Sequence, residues 1–278
     1  MPELPEVETV RRGLADRLDS FEIKEIEVCR ARAIASPGGV DQFVAGLKGA
    51  TVGAWSRRGK YLMAQLEPNR GRWGVHLRMT GQFQWHATPA PPCNHTRVRF
   101  WNQSSEELRF VDVRSFGEMW WVPEGDDLDT VLTGLKRLGP EPFSEAFTGA
   151  YLKQRLKGST RPIKTALLDQ SLIAGVGNIY ADESLFAAGI PPLTASGKLS
   201  IEQLVRLRDE LINVLNISIG VGGTTFSDFR DLEGVNGNYG GQSWVYRRSG
   251  QPCRRCGTPI SREKLSGRST HWCPNCQR

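Results

Sequence analysis

Hydrophobic residues recur at Val7, Val10, Leu14 and Leu18, the three-and-four spacing of a single helix face, behind the acids Glu3, Glu6 and Glu8. That pattern predicts a helix beginning just after Pro5, with carboxylates where the helix dipole favours them and Arg11 and Arg12 further along. From about residue 22 to 122 the period shortens. IKEIEVC (23–29), KYLMAQL (60–66), WGVHLRM (73–79), TRVRFW (96–101) and EMWWV (118–122) are short runs rich in β-branched and aromatic residues, cut by Gly, Pro and Asn. Many short strands with a helix against them predict a β-sandwich or barrel-like N-terminal domain. The stretch LKRLGPEPFSEAF (135–147) changes composition, and the domain boundary is expected there. Helical spacing then dominates over 147–157, 162–170, 178–188 and 200–216, before short strands and turns from about residue 244. GVNGNYGGQS (234–243) is glycine-rich and is expected to form a mobile loop. The chain therefore reads as α+β, with units at 1–135, 148–240 and 241–278 and a linker at 136–147.

Composition narrows the class. With 278 residues, 39% hydrophobic and 24% charged, the chain is long enough for two modest cores. No apolar run approaches the roughly 20 residues of a membrane helix, and the acidic opening does not suit a signal peptide, so a cytoplasmic, nucleoid-associated protein is expected. The net charge is +6 and unevenly placed. Residues 241–278 hold eight Lys or Arg against the single acid Glu263, a local +7 that leaves −1 for everything before it. A concentrated basic module suits a polyanionic partner, while a merely solvated basic tail is the plainer alternative.

The strongest local signal is CRRC…CPNC. Cys253 and Cys256 form one pair and Cys273 and Cys276 another, with 16 residues between the pairs. Two such turns joined by a hairpin offer four thiolates to one tetrahedral zinc, with no open position, so a structural ion is expected rather than a redox dithiol. His271 is expected to pack beside the site, and Cys29 and Cys93 to be ordinary buried thiols.

The N-terminus is the second signal. Removal of the initiator methionine before Pro2 exposes a secondary amine. N-terminal amines have reference pKa values near 7.7–8.0 against about 10.4 for lysine, so their nucleophilic fraction at neutral pH is on the order of a few hundred-fold larger. Glu3 is adjacent and Glu6 lies one helical turn on, so a carboxyl is available for proton transfer. Proline with acids is equally good chemistry for starting a helix, and both readings stay open. Third, two amphipathic helices flank GVGN (175–178), whose second helix start, capped by Asn178, would suit a phosphate; a plain helical hairpin is the alternative. Lys60 in RRGKYL, His76 and Met79 in HLRMTG, and Arg114 and Phe116 in DVRSFG complete the set. A Met, an Arg and a Phe on loops could fill the space left by an extruded base, although such residues taken singly are more often core or surface.

In order and spacing, PELPEVET, RRGKYL, HLRMTG, DVRSFG, GVGNIYADESLFAAGI and GRSTHWCPNC resemble the formamidopyrimidine-DNA glycosylase family along the whole chain. The resemblance implies a β-sandwich domain joined to a helix–two-turn–helix domain and a four-cysteine zinc finger, with DNA in the cleft between them. It implies excision of oxidised purines from double-stranded DNA by a monomer holding one structural zinc, followed by β- and δ-elimination at the abasic site. Pro2 would be the Schiff-base nucleophile and Glu3 the proton donor. Lys60 would serve phosphate binding and β-elimination, Arg268 phosphate binding and δ-elimination. Met79, Arg114 and Phe116 would occupy the void in the duplex, and His76, His95, Asn178, Arg161 or Lys164 would contact DNA. The opening PELPE, rather than PEGPE, favours this branch over endonuclease VIII-like enzymes acting on oxidised pyrimidines. A non-catalytic zinc-ribbon binder is the alternative from another class. The family pattern departs after GGTTFSDF (222–229), where this chain reads RDLEGVNGNYGGQSW, so base preference transfers least directly.

Overall fold

The opening helix α1 spans Leu4–Arg17, and Glu3 and Glu6 fix its start: the Glu3 backbone N–H donates to Glu6 Oε2 at 2.8 Å. Pro5 falls in the first turn, where its missing N–H costs nothing. Val7, Val10 and Leu14 are all buried, as their spacing requires. The computed structural model describes residues 1–88, 90–224, 232 and 234–278. It divides into two units, residues 1–136 with 222–237 and residues 137–221 with 238–278.

In the first unit α1 packs with two four-stranded antiparallel sheets. One has the order β1 (Glu25–Val28), β6 (Thr96–Trp101), β7 (Glu107–Asp112), β5 (Gly81–His86). The other runs β2 (Thr51–Arg58), β3 (Tyr61–Glu67), β4 (Gly71–His76), β8 (Glu118–Val122). Both contribute to one apolar core. Trp73 of β4, 1% exposed, meets Phe83 of β5 and Phe100 of β6 at ring-centroid distances of 6.0 and 4.7 Å. Helix α2 (Gly39–Leu47) adds Phe43 edge-on to Phe100, and the short α3 (Leu128–Val131) follows β8. This arrangement is the expected sandwich with flanking helices, and it leaves the β4–β5 and β7–β8 connections to carry Met79, Arg114 and Phe116.

The second unit is helical: α4 (Gly149–Leu156), α5 (Ile163–Leu167), α6 (Asn178–Ala187), α7 (Ile201–Gly220) and the single turn α8 (Tyr239–Gln242). Ser200 and Gln203 cap α7 reciprocally. Helix α6 departs from the amphipathic expectation. Residues 180–186 are buried on every face, Asp182 and Glu183 included. The expected mobile loop at 234–243 also needs correcting at its C-terminal end: Tyr239 is 3% exposed, packs on Tyr180 and donates to Glu183 Oε2 at 3.3 Å. Strands β9 (Ser261–Leu265) and β10 (Arg268–Trp272) form the hairpin between the cysteine pairs. Its two-residue loop, Ser266 and Gly267, takes positive φ at both positions, the geometry that matches strand twist. Among the described residues no helix is long and apolar enough to cross a membrane.

Candidate active site

Pro2 and Glu3 are buried at the start of α1. Glu6, offered by the sequence as a proton-transfer carboxyl, is engaged in holding this terminus. Oε2 accepts from Glu3 N–H and Oε1 from Thr224 N–H, both at 2.8 Å. Gly223 permits that approach: it has φ +79°, and a Cβ there would lie 3.0 Å from Glu6 Oε1. The GGTTFSDF region beyond residue 224, with Asp231 and Glu233, lies outside the described residues.

Lys60 sits in the two-residue connection between β2 and β3, fixed by the Arg58–Tyr61 register, and is 7% exposed. His76, at the end of β4, meets the Tyr61 ring edge-on at 4.5 Å. Burial, assisted by the charges of Arg78 and Lys60, pushes its imidazole down to about 3. Its Nδ1 accepts the Arg78 N–H at 3.0 Å. The neutral ring therefore keeps its proton on Nε2 and acts there as a donor. Arg57 and Arg58 precede Lys60, and Arg57 is held by Glu8 and the Gly59 carbonyl.

Met79, Arg114 and Phe116 are brought together as the sequence motifs suggested. Arg114 Nη1 contacts Met79 Sδ at 2.8 Å and its guanidinium lies 4.8 Å over the Phe116 ring. Met79 and Phe116 are 39% and 41% exposed and both touch the Arg114 guanidinium, so the group presents apolar surface to solvent at one place. His95 is exposed in the same unit, near Arg97.

In the second unit Asn178 is the first residue of α6 rather than its cap, which is Gly177. Asn178 Nδ2 donates to the Ser269 carbonyl at 2.9 Å, joining the helix start to β10 beside Arg268. Arg268 follows the hairpin turn opposite Leu265 and is exposed, and its guanidinium makes no hydrogen bond or ion pair among the described residues. Lys164 is a correction: it is 1% exposed, lies 2.7 Å from Asp182 Oδ1, and donates to Ser269 O and Thr270 Oγ1. A lysine so enclosed cannot reach a phosphate; it ties α5 to β10 instead. Arg161 is half-exposed and paired with Asp169 at 2.9 Å.

The four cysteines Cys253, Cys256, Cys273 and Cys276 have all their sulfur atoms within 4.8 Å of one another. The Cys253–Cys276 and Cys256–Cys273 separations are 3.9 and 3.5 Å. A tetrahedral ion with Zn–S of about 2.3 Å requires sulfur separations of about 3.8 Å, so the donor set fits zinc. His271 stays outside it, giving its backbone N–H to Asp182 Oδ2 at 2.9 Å and packing on Tyr246. Cys29 and Cys93 are exposed, against expectation: the first leaves the β1 edge, the second lies on the loop before β6. The sequence pattern singled out neither Asp182 nor Glu183. Glu183 accepts the N–H groups of Trp244, Val245 and Tyr246 at 2.8–2.9 Å, stitching α6 to the start of the finger. Two adjacent acids inside an apolar helix, YADESLF, were the available signal.

Three family models match: the formamidopyrimidine-DNA glycosylase N-terminal domain over residues 1–119, the H2TH domain of the same enzymes over 138–230, and the zinc finger found in FPG and IleRS over 250–278. The chain is 76% identical to a formamidopyrimidine-DNA glycosylase of Parasynechococcus marenigrum and 67% to one of Prochlorococcus marinus, each over 100% of both chains. It is similar to a solved Lactococcus lactis FPG mutant in complex with Fapy-dG containing DNA, with TM-score 0.91 and 36% identity over 100% of both chains. It is similar also to the Lactococcus lactis enzyme with abasic DNA, with TM-score 0.91 and 37% identity over 99% of both.

Proposed function

The chain belongs to the formamidopyrimidine-DNA glycosylase family, and from that premise we propose that it excises oxidised purines from double-stranded DNA and then cleaves the abasic strand. The observation that carries the reading is the N-terminus. Pro2 and Glu3 are buried at the head of α1, with Glu6 pinning their backbone to residue 224. Such an anchored terminus holds a freed imino nitrogen in one place, and positioning of this kind is a large part of catalysis.

Once Met1 is removed, the Pro2 nitrogen attacks C1′ of the damaged nucleotide. The N-glycosidic bond breaks, and the departing base takes a proton through Glu3. The proton released by Pro2 then passes to O4′ as the C1′–O4′ bond opens, which leaves an iminium between Pro2 and C1′. Loss of the acidified C2′ proton breaks the C3′–O bond and releases the 3′ phosphate, and loss of the C4′ proton then breaks the C5′–O bond and releases the 5′ phosphate. Lys60 and Arg268 hold the flanking phosphates and assist these two steps. His76, through Nε2–H, and His95, Asn178 and Arg161 serve the DNA backbone. Met79, Arg114 and Phe116 fill the vacated space; extrusion costs a few kcal/mol and is cheapest at a damaged pair. In this scheme the unit of residues 1–136 with 222–237 carries Pro2, Glu3 and Lys60, residues 148–221 supply the helical DNA grip, and 241–278 form the finger that brings Arg268, in a monomer. Cys253, Cys256, Cys273 and Cys276 would hold one zinc ion, which when bound cross-links the finger and takes no part in bond cleavage.

Borohydride trapping tests the reading. The protein should form a covalent adduct with a duplex containing 8-oxoguanine and lose it in Pro2→Gly; binding with no trapped species would leave only a DNA-binding protein. A second substrate class has one observation in its favour. A solved complex of the Lactococcus lactis enzyme contains an oxidized pyrimidine, at TM-score 0.90 and 36% identity. Release rates from 8-oxoguanine and dihydrouracil duplexes decide which class is preferred.

A further inference from the structure

Two connections present the exposed wedge side chains: residues 77–80 between β4 and β5, and residues 113–117 between β7 and β8. The first is closed by one backbone bond, Gly81 N–H to Leu77 O at 3.0 Å. Both converge on one carboxylate. Asp112, the last residue of β7, is 0% exposed and faces Gly81 across the β5–β7 ladder. Its Oδ1 accepts from Thr80 Oγ1 at 2.5 Å and from Arg114 N–H at 3.1 Å, and its Oδ2 accepts from Gly117 N–H at 2.6 Å. Arg114 N–H also donates to Thr80 Oγ1 at 3.0 Å, closing a triangle between the loops. Asp112 is itself held, since its N–H donates to His95 O at 2.9 Å and its carbonyl accepts from Arg97 Nε at 2.8 Å. Gly117 has no room for a side chain: a Cβ there would lie 2.5 Å from the Phe110 ring and 3.1 Å from Asp112 Oδ2.

Each loop also carries a left-handed non-glycine residue beside a wedge residue. Arg78 has φ +54° and is tied to Glu118 through Nε at 3.0 Å and Nη2 at 2.5 Å. Ser115 has φ +54°, and its carbonyl accepts from Arg32 Nε at 3.2 Å. Backbone conformations of this kind persist where surrounding contacts over-determine them, and they concentrate at functional sites.

We infer that Asp112 and Thr80 are positioning residues, a clamp across the two loops that sets Met79, Arg114 and Phe116 in one mutual geometry before DNA arrives. The inference rests on the reading that those three side chains fill the void in the duplex. Thr80 and Asp112 act through them. A wedge assembled in advance loses less conformational freedom when it enters the base stack, so more of its contact energy goes into extrusion.

The test uses the full chain and compares borohydride trapping rates at an abasic site in duplex and in single-stranded oligonucleotide, because only the duplex has a void to fill. Thr80→Val removes the hydroxyl at a half-buried position at nearly constant volume. It should lower the duplex-to-single-strand ratio on the order of tenfold, the scale of one or two lost hydrogen bonds. Thr80→Ser should restore the ratio, and Asp112→Asn should reproduce the loss. The double variant Thr80→Val/Arg114→Ala should fall no lower than Arg114→Ala alone, because both act on one device. An unchanged ratio in Thr80→Val, or losses that multiply in the double variant, would overturn the clamp. Wild-type protein that traps neither substrate would overturn the functional reading instead, before any variant is compared.

Discussion

His76 illustrates what burial does to a single side chain. Its ring is enclosed at the end of β4, Arg78 and Lys60 add positive charge nearby, and the imidazole stays neutral until about pH 3 instead of 6.5. In the unfolded chain it takes up a proton near 6.5. The folded state is therefore fully favoured above that value and loses ground as pH falls from 6.5 towards 3. Between pH 7 and 4.5 this single site should cost about 2.5 kcal/mol. His76→Gln should remove that slope, so the stability difference between wild type and variant, measured by urea unfolding, should shrink or reverse at pH 4.5. An identical difference at both pH values would contradict it. Lys164 teaches a complementary lesson. RPIKTALL shows a lysine among apolar neighbours, but its partners Asp182, Ser269 and Thr270 are 18 to 106 positions away, and no local pattern reveals a pairing of that range.

At the scale of elements, α6 is the hub of the second unit. Asp182 receives Lys164 from α5 and the His271 N–H from β10, while Glu183 gathers three backbone donors ahead of the finger. Lys164→Met leaves a buried carboxylate unpaired and should destabilise the protein by about 3–5 kcal/mol; adding Asp182→Asn should recover part of that loss. A double variant less stable than the single one would contradict the pairing. The finger's four-cysteine cluster makes an equally local prediction. Cys256→Ser should lose zinc, measured by elemental analysis, together with DNA affinity, whereas retention of both would show that the four thiols are not a structural site. Two strands were legible to the residue: the alternating TRVRFW is β6, and the short apolar and aromatic run EMWWV is β8. Strands β2, β5 and β7 were not among the runs named; in ELRFVD every position is buried, including Glu107 and Arg109, which pair with each other at 2.6 Å, and no alternation marks such a strand.

For the molecule as a whole, the order of the motifs along 278 residues carried most of the functional information; the four-cysteine cluster was visible from spacing alone, whereas the grouping of Met79, Arg114 and Phe116 rested on the resemblance. The bracing that makes those groups usable was not. Glu6 to Thr224, Asp112 to Thr80 and Lys164 to Ser269 each join segments that only the fold brings together. Part of the basic excess in 241–278 also braces this segment, since Arg248 and Arg254 bind backbone carbonyls and Arg255 lies over the Phe186 ring, all three keeping their charge. Everything proposed about the chemistry converges on the nitrogen of residue 2. The most direct measurement is peptide mass spectrometry of the borohydride-trapped complex with 8-oxoguanine duplex. The expected result is a deoxyribose adduct on an N-terminal peptide that starts at Pro2 and lacks Met1. An adduct on Lys60, or full activity from protein that keeps its initiator methionine, would contradict the account.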